Sequence, residues 1–363
     1  MISRKEMQAV ASSYEEPCIG VLGSHSALEI ASGARKEGLK TVVICQMGRE
    51  KTYSKYYKNL FDEIVILDRF SEITKKDTVK RLVELSTVFI PNRSFSVYVG
   101  YNNIENSFSV PIFGSRALLR AEERDEKRNQ YYLLDKAGIK RPEEFKNPEE
   151  IDRLCIIKIM QKGSVERAFF FASSPWEFEK KAQERVKSGL ISKEGLKNAV
   201  IEEYVLGALF NANFFYSPLS GEIELLGFDR RIQTNLDGLL KLPAKEQPEI
   251  SETVQNIEVG HMPATMRESQ LEKVFEAAES FVSACKKEYP PGLFGLFALQ
   301  GSINKKLEFV VFDCSLRVPG SPILESVSPY TSYKYGEIVS PGRRVAMEVK
   351  RAAEEGKLGE IVT

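Results

Sequence analysis

Two short segments near the C-terminus carry an amide, a carboxylate and a guanidinium at a spacing that suits a metal–nucleotide site. Residues 296–302 are typical of a strand that brings Gln300 to its end, and residues 307–313 of a second strand that ends in Asp313, with Arg317 just beyond. Mg2+ takes few protein oxygens and fills its other positions with phosphate and water, and arginine suits phosphate. The alternative is a half-buried hairpin with polar ends, and spacing alone does not decide between the two.

A second candidate site lies at the start of the first predicted helix. Gly23-Ser24-His25-Ser26 follows a short apolar strand, and Ser24 is the predicted helix cap. Free backbone N–H groups and the helix dipole favour an anion at such a position, with the serine and histidine side chains as further donors. An ordinary cap with a surface histidine is the alternative, but the position at the carboxyl end of a strand favours anion binding.

Three weaker candidates lie further along the chain. Lys158 ends an apolar strand, and Glu203 ends another ahead of Gly207, where a hinge would offer groups to an adenine and a ribose. Asp229-Arg230-Arg231 follows a hairpin strand and would clamp phosphates. Each has an ordinary alternative: a solvated strand end, a surface glutamate and a surface ion pair.

The elements that must position these residues fall into two types. In the first ~115 residues, strands at 17–22, 41–45, 64–67 and 88–90 alternate with helices, which predicts a parallel sheet in an α/β domain. Ligands of such sheets bind at the carboxyl ends of strands, where residues 23–26 and 91–94 lie. After a charged helix predicted at 117–136, strand clusters separated by helices predict α+β lobes.

Composition excludes several classes of protein. The 363 residues contain 51 Lys+Arg and 51 Asp+Glu, so bulk charge favours neither nucleic acid nor an anionic membrane as a partner. No apolar run reaches the roughly 18 residues of a membrane span, and the first residues lack the apolar core of a signal peptide. Five cysteines without a CxxC pair indicate reduced thiols in a cytoplasmic protein. The two histidines argue against a multi-histidine metal site.

The chain resembles the archaeal formate-dependent FAICAR synthetases, which are ATP-grasp enzymes of purine synthesis, over essentially its whole length. The segments that carry the resemblance include GSHSAL at 23–28, CQMGREKTY at 45–53, FGSRALLR at 113–120, IEEYVLG at 201–207, FYSPLSGEIELLGFDRR at 215–231, LPAKEQ at 242–247, PPGLFG at 290–295 and LEFVVFDCSLR at 307–317. The resemblance implies a parallel-sheet (pre-ATP-grasp) domain at residues 1–118 and an ATP-grasp domain at 119–363. Its two lobes would be a flap-bearing lobe at about 140–206 and a C-terminal lobe at about 207–363.

The resemblance also implies an activity and a set of site residues. Members of the family are carbon–nitrogen ligases that join formate to the 5-amino group of AICAR through formyl phosphate, with ATP as co-substrate and Mg2+ or Mn2+, and they form homo-oligomers. The implied roles are Arg317 in catalysis, AICAR binding by His25, Ser94 and His261, ATP binding by Lys158, Glu203 and Gln233, and metal binding by Gln300 and Asp313.

The chain departs from the family pattern at several of these positions. Asp313 stands where the family usually has Glu, Gln233 where it has a Glu that contacts ATP, and His261 where it has an Asn that contacts AICAR. Asn92-Arg93 replaces His-Gly before Ser94. The glycine-rich flap at 159–167 retains one glycine, so the resemblance places the phosphate grip on Lys162 or Arg167.

These observations predict a cytoplasmic FAICAR synthetase whose substrates are small molecules. Two alternatives stay open on the sequence alone. One is an ATP-grasp ligase for another small carboxylate, and the other is a diverged paralogue that binds nucleotide without this activity.

Overall fold

A computed structural model describes residues 2–159, 169–247 and 258–363. Lys162 and Arg167, on which the sequence places the phosphate grip, lie outside the described residues. Within the described part of the chain, no helix has both the length and the apolar character that a membrane span requires.

The N-terminal part contains the predicted parallel sheet. Its strands are β1 (Cys18–Leu22), β2 (Lys40–Gln46), β3 (Glu63–Leu67) and β4 (Thr87–Ile90). In the order β3-β2-β1-β4, the chain adds β2 and β3 on one side of β1 and then crosses to add β4 on the other side. Such a switch point opens a crevice at the carboxyl ends of β1 and β4. The accompanying helices are α1 (Arg4–Ser12), α2 (Ala27–Lys36), α3 (Lys76–Glu84), α4 (Arg93–Val99) and α5 (Tyr101–Asn106).

The prediction of one charged helix at 117–136 is wrong, because the chain forms two helices there. They are α6 (Arg116–Ala121) and α7 (Gln130–Lys136). The side chain of Asn129 accepts hydrogen bonds from the backbone N–H groups of Tyr131 and Tyr132, so a new helix starts at this cap. The segment between the helices carries Glu122 and Arg124, whose side chains are buried against other parts of the fold.

A small antiparallel sheet follows, in the order β5-β8-β6-β7. Its strands are β5 (Glu144–Phe145), β6 (Cys155–Lys158), β7 (Phe169–Ala172) and β8 (Val200–Glu203). The helices α8 (Pro175–Lys187) and α9 (Lys193–Lys197) lie between β7 and β8. Phe170 of β7 packs on Phe178 of α8, which gives this lobe an apolar core of its own.

The largest sheet is antiparallel, in the order β11-β10-β9-β12-β13. Its strands are β9 (Gly207–Tyr216), β10 (Ile223–Gln233), β11 (Glu258–Ala264), β12 (Gly295–Asn304) and β13 (Phe309–Ser315). The helices of this region are α10 (Thr234–Leu239), α11 (Glu268–Glu288), α12 (Leu324–Val327), α13 (Pro329–Tyr335) and α14 (Pro341–Glu354). Phe281 of α11 stacks on Phe297 of β12, so this helix covers one face of the sheet.

Several shorter turns complete the chain. Residues Thr52–Tyr56 are π-helical, and 3-10 turns lie at Lys58–Leu60, Phe70–Thr74, Pro148–Glu150 and Leu358–Glu360. The parallel sheet and the α+β lobes predicted from the sequence are confirmed. The exact division of the chain at residue 118 stays a prediction, since the C-terminal helix α14 packs back on α2 of the N-terminal part.

That return contact is made between α2 and α14, whose backbones approach each other at two glycines. A Cβ on Gly33 would lie 2.1 Å from the backbone nitrogen of Arg343, and one on Gly342 would lie 2.6 Å from the carbonyl oxygen of Glu29. The buried carboxylate of Glu29 accepts a hydrogen bond from the N–H of Gly342. Burial raises the pKa of Glu29 to about 7, although the hydrogen bonds from Gly342 and Ser340 act in the opposite direction.

The raised pKa of Glu29 predicts a pH-dependent effect of Glu29→Gln on stability. A carboxyl whose pKa is higher in the folded than in the unfolded protein stabilises the fold fully at pH values below its unfolded pKa of 4.5. This stabilisation is lost as the pH rises through the folded pKa of about 7. The free energy of unfolding of the natural protein should therefore fall relative to that of Glu29→Gln between these two values. Urea unfolding of both proteins at a series of pH values measures this difference, and a constant difference would contradict the assignment.

Candidate functional site

A cavity of about 480 Å³ lies between the crevice of the parallel sheet and the largest antiparallel sheet. Of the nine residues to which the resemblance assigns a role, six line the cavity: His25, Ser94, His261, Gln300, Asp313 and Arg317. Lys158, Glu203 and Gln233 are not among the lining residues. The structure thus brings together the predicted AICAR, metal and catalytic residues, while their individual roles stay predictions.

Asn92 joins the two loops that end β1 and β4. Its buried side-chain amide donates to the carbonyl oxygens of Leu22 and His25, at 3.1 and 2.9 Å, and its oxygen accepts from the N–H of Phe95. The hydroxyls of Ser24 and Ser94 lie 2.7 Å apart. Ser24 is therefore not the helix cap that the sequence predicted. The helix begins at Ala27, after Ser26 in a left-handed conformation, and Ser24 contacts the neighbouring loop instead.

The His25 imidazole lies against Gly320, a residue that the sequence reasoning missed. A Cβ on Gly320 would lie 1.8 Å from His25 Nε2 and 1.9 Å from Cε1. Because real Cβ atoms do not approach other atoms this closely, any other residue at position 320 would displace the ring. Gly320 thus leaves the space that the His25 ring occupies, and no local pattern in the sequence reveals this contact.

Oxygen-bearing side chains form a row across three strands of the largest sheet. Gln300 of β12 lies opposite Asp313 of β13, as the predicted hairpin requires, and Asn211 of β9 lies opposite Gln300 on the other side. All three side chains line the cavity. Two amide oxygens and a carboxylate are donors that suit Mg2+ or Mn2+, which leave further positions to phosphate and water. The residues present therefore fit a divalent cation, and Asn211 is a candidate ligand that the sequence reasoning missed.

Glu122 holds two arginines at the cavity. One of its oxygens lies 3.5 Å from Arg93 Nη1 and 3.3 Å from Arg317 Nη2, and the other accepts from the N–H of Leu316 at 2.6 Å. Burial raises the pKa of this carboxyl, although Arg317 and Arg93 act in the opposite direction. Arg93 and Arg317 both line the cavity, so it has two guanidiniums to face a negatively charged ligand.

Lys158 enters a largely buried chain of charges that runs behind the cavity. Its amine forms an ion pair with Glu202, Glu202 lies 3.8 Å from Arg124, and Arg124 lies 3.9 Å from Asp313. Burial, followed by the nearby Arg124, lowers the pKa of Lys158. The chain of charges therefore links β6 and β8 of the small sheet to the row of oxygen donors on the largest sheet.

The sequence reasoning chose Glu203 on this strand, but its neighbour Glu202 is the residue in the charged chain. Glu202 is buried and also accepts a hydrogen bond from the hydroxyl of Tyr131 at 2.9 Å, whereas Glu203 is half-buried. Alternation along a strand places the two side chains on opposite faces, so Glu202 faces the charged chain while the ATP-binding role of Glu203 stays a prediction.

His261 lies between two carboxylates. Its Nδ1 is 2.5 Å from Asp229, and its Nε2 is 2.8 Å from Glu258. Burial alone would lower the pKa of His261, but the hydrogen bonds to Asp229 and Glu258 raise it to about 9. Asp229 is fully buried and so does not clamp a ligand, whereas the neighbouring Arg231 does line the cavity. Gln233, at the end of β10, donates its N–H to Asp237.

Fold and site together define the class. A parallel-sheet domain precedes two antiparallel lobes, and the cavity between them holds oxygen donors and arginines. The structure resembles the ADP complex of PurK, an N5-carboxyaminoimidazole ribonucleotide synthetase, with a TM-score of 0.56 and 14% identity over 84% of this chain and 71% of that one. A biotin carboxylase from Campylobacter jejuni gives 0.58 and 12% over 90% and 70%. These two likenesses show that the fold is the ATP-grasp fold.

The comparisons with relatives then give the family. Residues 19–145 match the model of a protein of unknown function, DUF1246, and residues 177–363 match that of a domain of unknown function, DUF1297. The chain is 41% identical to the 5-formaminoimidazole-4-carboxamide-1-(beta)-D-ribofuranosyl 5'-monophosphate synthetase of Methanopyrus kandleri and 40% identical to that of Methanocaldococcus jannaschii, over the full length of all three proteins. The crystal structure of the IMP biosynthesis protein PurP from Thermococcus kodakaraensis has a TM-score of 0.73 and 27% identity, over 95% of this chain and all of that one. The chain belongs to this synthetase family.

The buried position of Glu122 predicts that Glu122→Gln destabilises the protein. The change leaves two guanidiniums without their shared charge. We expect the free energy of unfolding to fall by about 3 kcal/mol, which is the low end of the range for breaking a buried ion pair, because Arg93 is partly exposed. Urea unfolding measures the loss. Glu123→Gln is the matched control, because Glu123 is a more exposed partner of Arg93 and Tyr101, and its neutralisation should cost less. Equal losses would contradict the assignment.

Proposed function

We propose that the protein joins formate to the 5-amino group of AICAR, with conversion of ATP to ADP and phosphate. The observation that carries this proposal is the meeting, in one cavity, of two loops from the parallel sheet with the row of oxygen donors from the largest sheet. The names of the relatives point to the same product. The cavity thus has one wall for a ribonucleotide and another for a metal–nucleotide.

The AICAR side of the cavity is the end of β1 and β4. His25 and Ser94 lie on loops joined through Asn92, next to the N-terminus of α2, where backbone N–H groups favour a phosphate. His261 and Arg231 face the same space from the largest sheet. In this arrangement His25, Ser94 and His261 bind the nucleotide, as the resemblance implies.

The ATP side is formed by the row of oxygen donors and the charged chain behind it. Asn211, Gln300 and Asp313 would hold a divalent cation, which we propose to be Mg2+ or Mn2+, and which would neutralise charge on the phosphates of ATP. Lys158 and Glu202 lie behind this row, between the two antiparallel sheets. The adenine would then lie toward β8 and Glu203.

The chemistry needs positioning and charge compensation more than a protein nucleophile. A formate oxygen attacks the γ-phosphorus of ATP, ADP leaves, and formyl phosphate forms. The 5-amino nitrogen of AICAR then attacks the formyl carbon, the C–O bond to phosphate breaks, and the nitrogen loses a proton. Arg317 and Arg93, held by Glu122, face the negative charge that develops on the transferred phosphoryl group and on the departing phosphate.

Two further parts of the proposal concern the location of the protein and its assembly. The five cysteines are free and buried, which supports a reducing compartment such as the cytoplasm. The homo-oligomer is implied by the family resemblance and stays a prediction.

The test of the function is formation of FAICAR and ADP by the purified protein with ATP, formate, AICAR and Mg2+, with each component omitted in turn. The full mixture should give both products in equal amounts, and omission of any component should abolish FAICAR. Asp313→Asn should greatly reduce the rate. ATP binding without product would favour the diverged paralogue, and ADP formation with another small carboxylate would favour the other ligase.

The contact between His25 and Gly320 predicts that two changes far apart in sequence have the same effect. His25→Ala should weaken AICAR binding by about 1–3 kcal/mol, the range for removing one partner of a buried or charged hydrogen bond, and ATP affinity should change little. Gly320→Ala should also weaken AICAR binding, because the added methyl group displaces the imidazole. Calorimetric titration measures both affinities.

The control for the second change is Gly238→Ala. A Cβ on Gly238 has no atom within 4 Å, so this substitution should leave AICAR affinity unchanged. If Gly320→Ala behaved like Gly238→Ala, the steric role of Gly320 would be refuted.

A further inference from the structure

Three potential metal ligands converge on one wall of the cavity, away from the row of oxygen donors on β9, β12 and β13. His25, Glu258 and His261 each offer a ligand atom, and these atoms all lie within 4.8 Å of one another. One oxygen of Glu258 lies 2.8 Å from His261 Nε2 and 3.8 Å from His25 Nε2. The sequence, with two histidines, argued against a multi-histidine metal site. In the structure, both histidines nevertheless lie together with a carboxylate.

The orientation of His261 is the one that metal-binding histidines adopt. Its Nδ1 faces the carboxylate of Asp229, which is fully buried and accepts further hydrogen bonds from Asn211, Asn213 and Ser321. A carboxylate on one ring nitrogen sets the tautomer and the ring plane, and it leaves the lone pair of the other nitrogen for an ion. Asp229 therefore directs Nε2 of His261 toward Glu258 and the cavity.

The other two ligands are also held in place. The His25 ring lies against Gly320, and its backbone carbonyl is bound by Asn92. Glu258 forms an ion pair with Arg231 at 2.8 Å through its second oxygen, so the first oxygen faces the two imidazoles. An ion bound here would take the place of the proton between His261 and Glu258.

We propose that His25, Glu258 and His261 form a binding site for a transition-metal ion of the Zn2+ type. Two imidazole nitrogens and one carboxylate oxygen form a donor set that binds Zn2+ in preference to Mg2+. Three protein ligands leave a fourth coordination position open to the cavity. The site is distinct from Asn211, Gln300 and Asp313, whose all-oxygen donors suit Mg2+. Because His25 also belongs to the AICAR wall, Zn2+ and AICAR compete. This second statement rests on the proposed function, whereas the metal site itself does not.

The metal site is tested by calorimetric titration of the full chain with Zn2+, without nucleotide, and by the absorption spectrum of the Co2+ form. One ion should bind per chain. His25→Ala, Glu258→Gln and His261→Asn should each weaken binding at least 10-fold, and Asp229→Asn about 10–100-fold, as expected for loss of the residue that orients a ligand. Asp313→Asn should leave Zn2+ affinity unchanged. Thermal unfolding without metal checks that each variant is folded.

Two results would overturn the metal site: no Zn2+ binding by the natural chain, or equal affinity in His261→Asn and in the natural chain. The second result would assign the ion to the cysteines or to another surface. A titration of Zn2+ in the presence of saturating AICAR tests the competition, and the apparent affinity should fall at least 10-fold. Unchanged affinity there would refute the placement of AICAR beside His25 and leave the metal site standing.

Discussion

The cavity depends on one buried carboxylate. Glu122 lies between α6 and α7, and it binds Arg93 from the end of β4 and Arg317 from the segment after β13. A buried charge is tolerated only when partners compensate its loss of water, so the carboxylate and its two arginines must be present together. The same three groups therefore join the parallel sheet to the largest sheet and supply the positive charge that a phosphate requires.

Charged side chains in the cavity and directly behind it are paired with other protein groups. Lys158 is paired with Glu202, Arg124 lies near both Glu202 and Asp313, and Arg231 is paired with Glu258. A ligand that carries phosphates must replace or share these partners rather than bind to bare charges. Such exchange favours geometric selectivity over raw affinity, because the attraction of a phosphate is offset by the loss of an existing pair.

The sequence predicted the parts of this structure that depend on local pattern. Alternating and apolar runs predicted the parallel strands and the hairpin that places Gln300 opposite Asp313, and the structure confirms both. The prediction of one long charged helix was wrong because it overlooked the local cap at Asn129, and because the burial of Glu122 and Arg124 depends on partners elsewhere in the fold.

The residues that the sequence reasoning missed share this dependence on distant partners. Asn211, Glu202 and Gly320 matter only because of neighbours that are remote along the chain. The alternation of Asn211 and Asn213 along an apolar strand was the one local signal, since two amides on one face of a buried strand require partners. Gly320 offered no such signal, because its role is to leave space for the His25 ring.

Asp229 connects the two sets of potential metal ligands. It accepts from the side-chain amide of Asn211, which leaves the carbonyl oxygen of that residue as its ligand-capable atom, and it binds Nδ1 of His261. One buried carboxylate thus orients an oxygen donor on one wall and a nitrogen donor on the other. Because Asp229 is fully buried and has several partners, neither donor can rotate without breaking hydrogen bonds to it. The separation of an all-oxygen site from a nitrogen-containing one is therefore maintained by a residue that does not line the cavity.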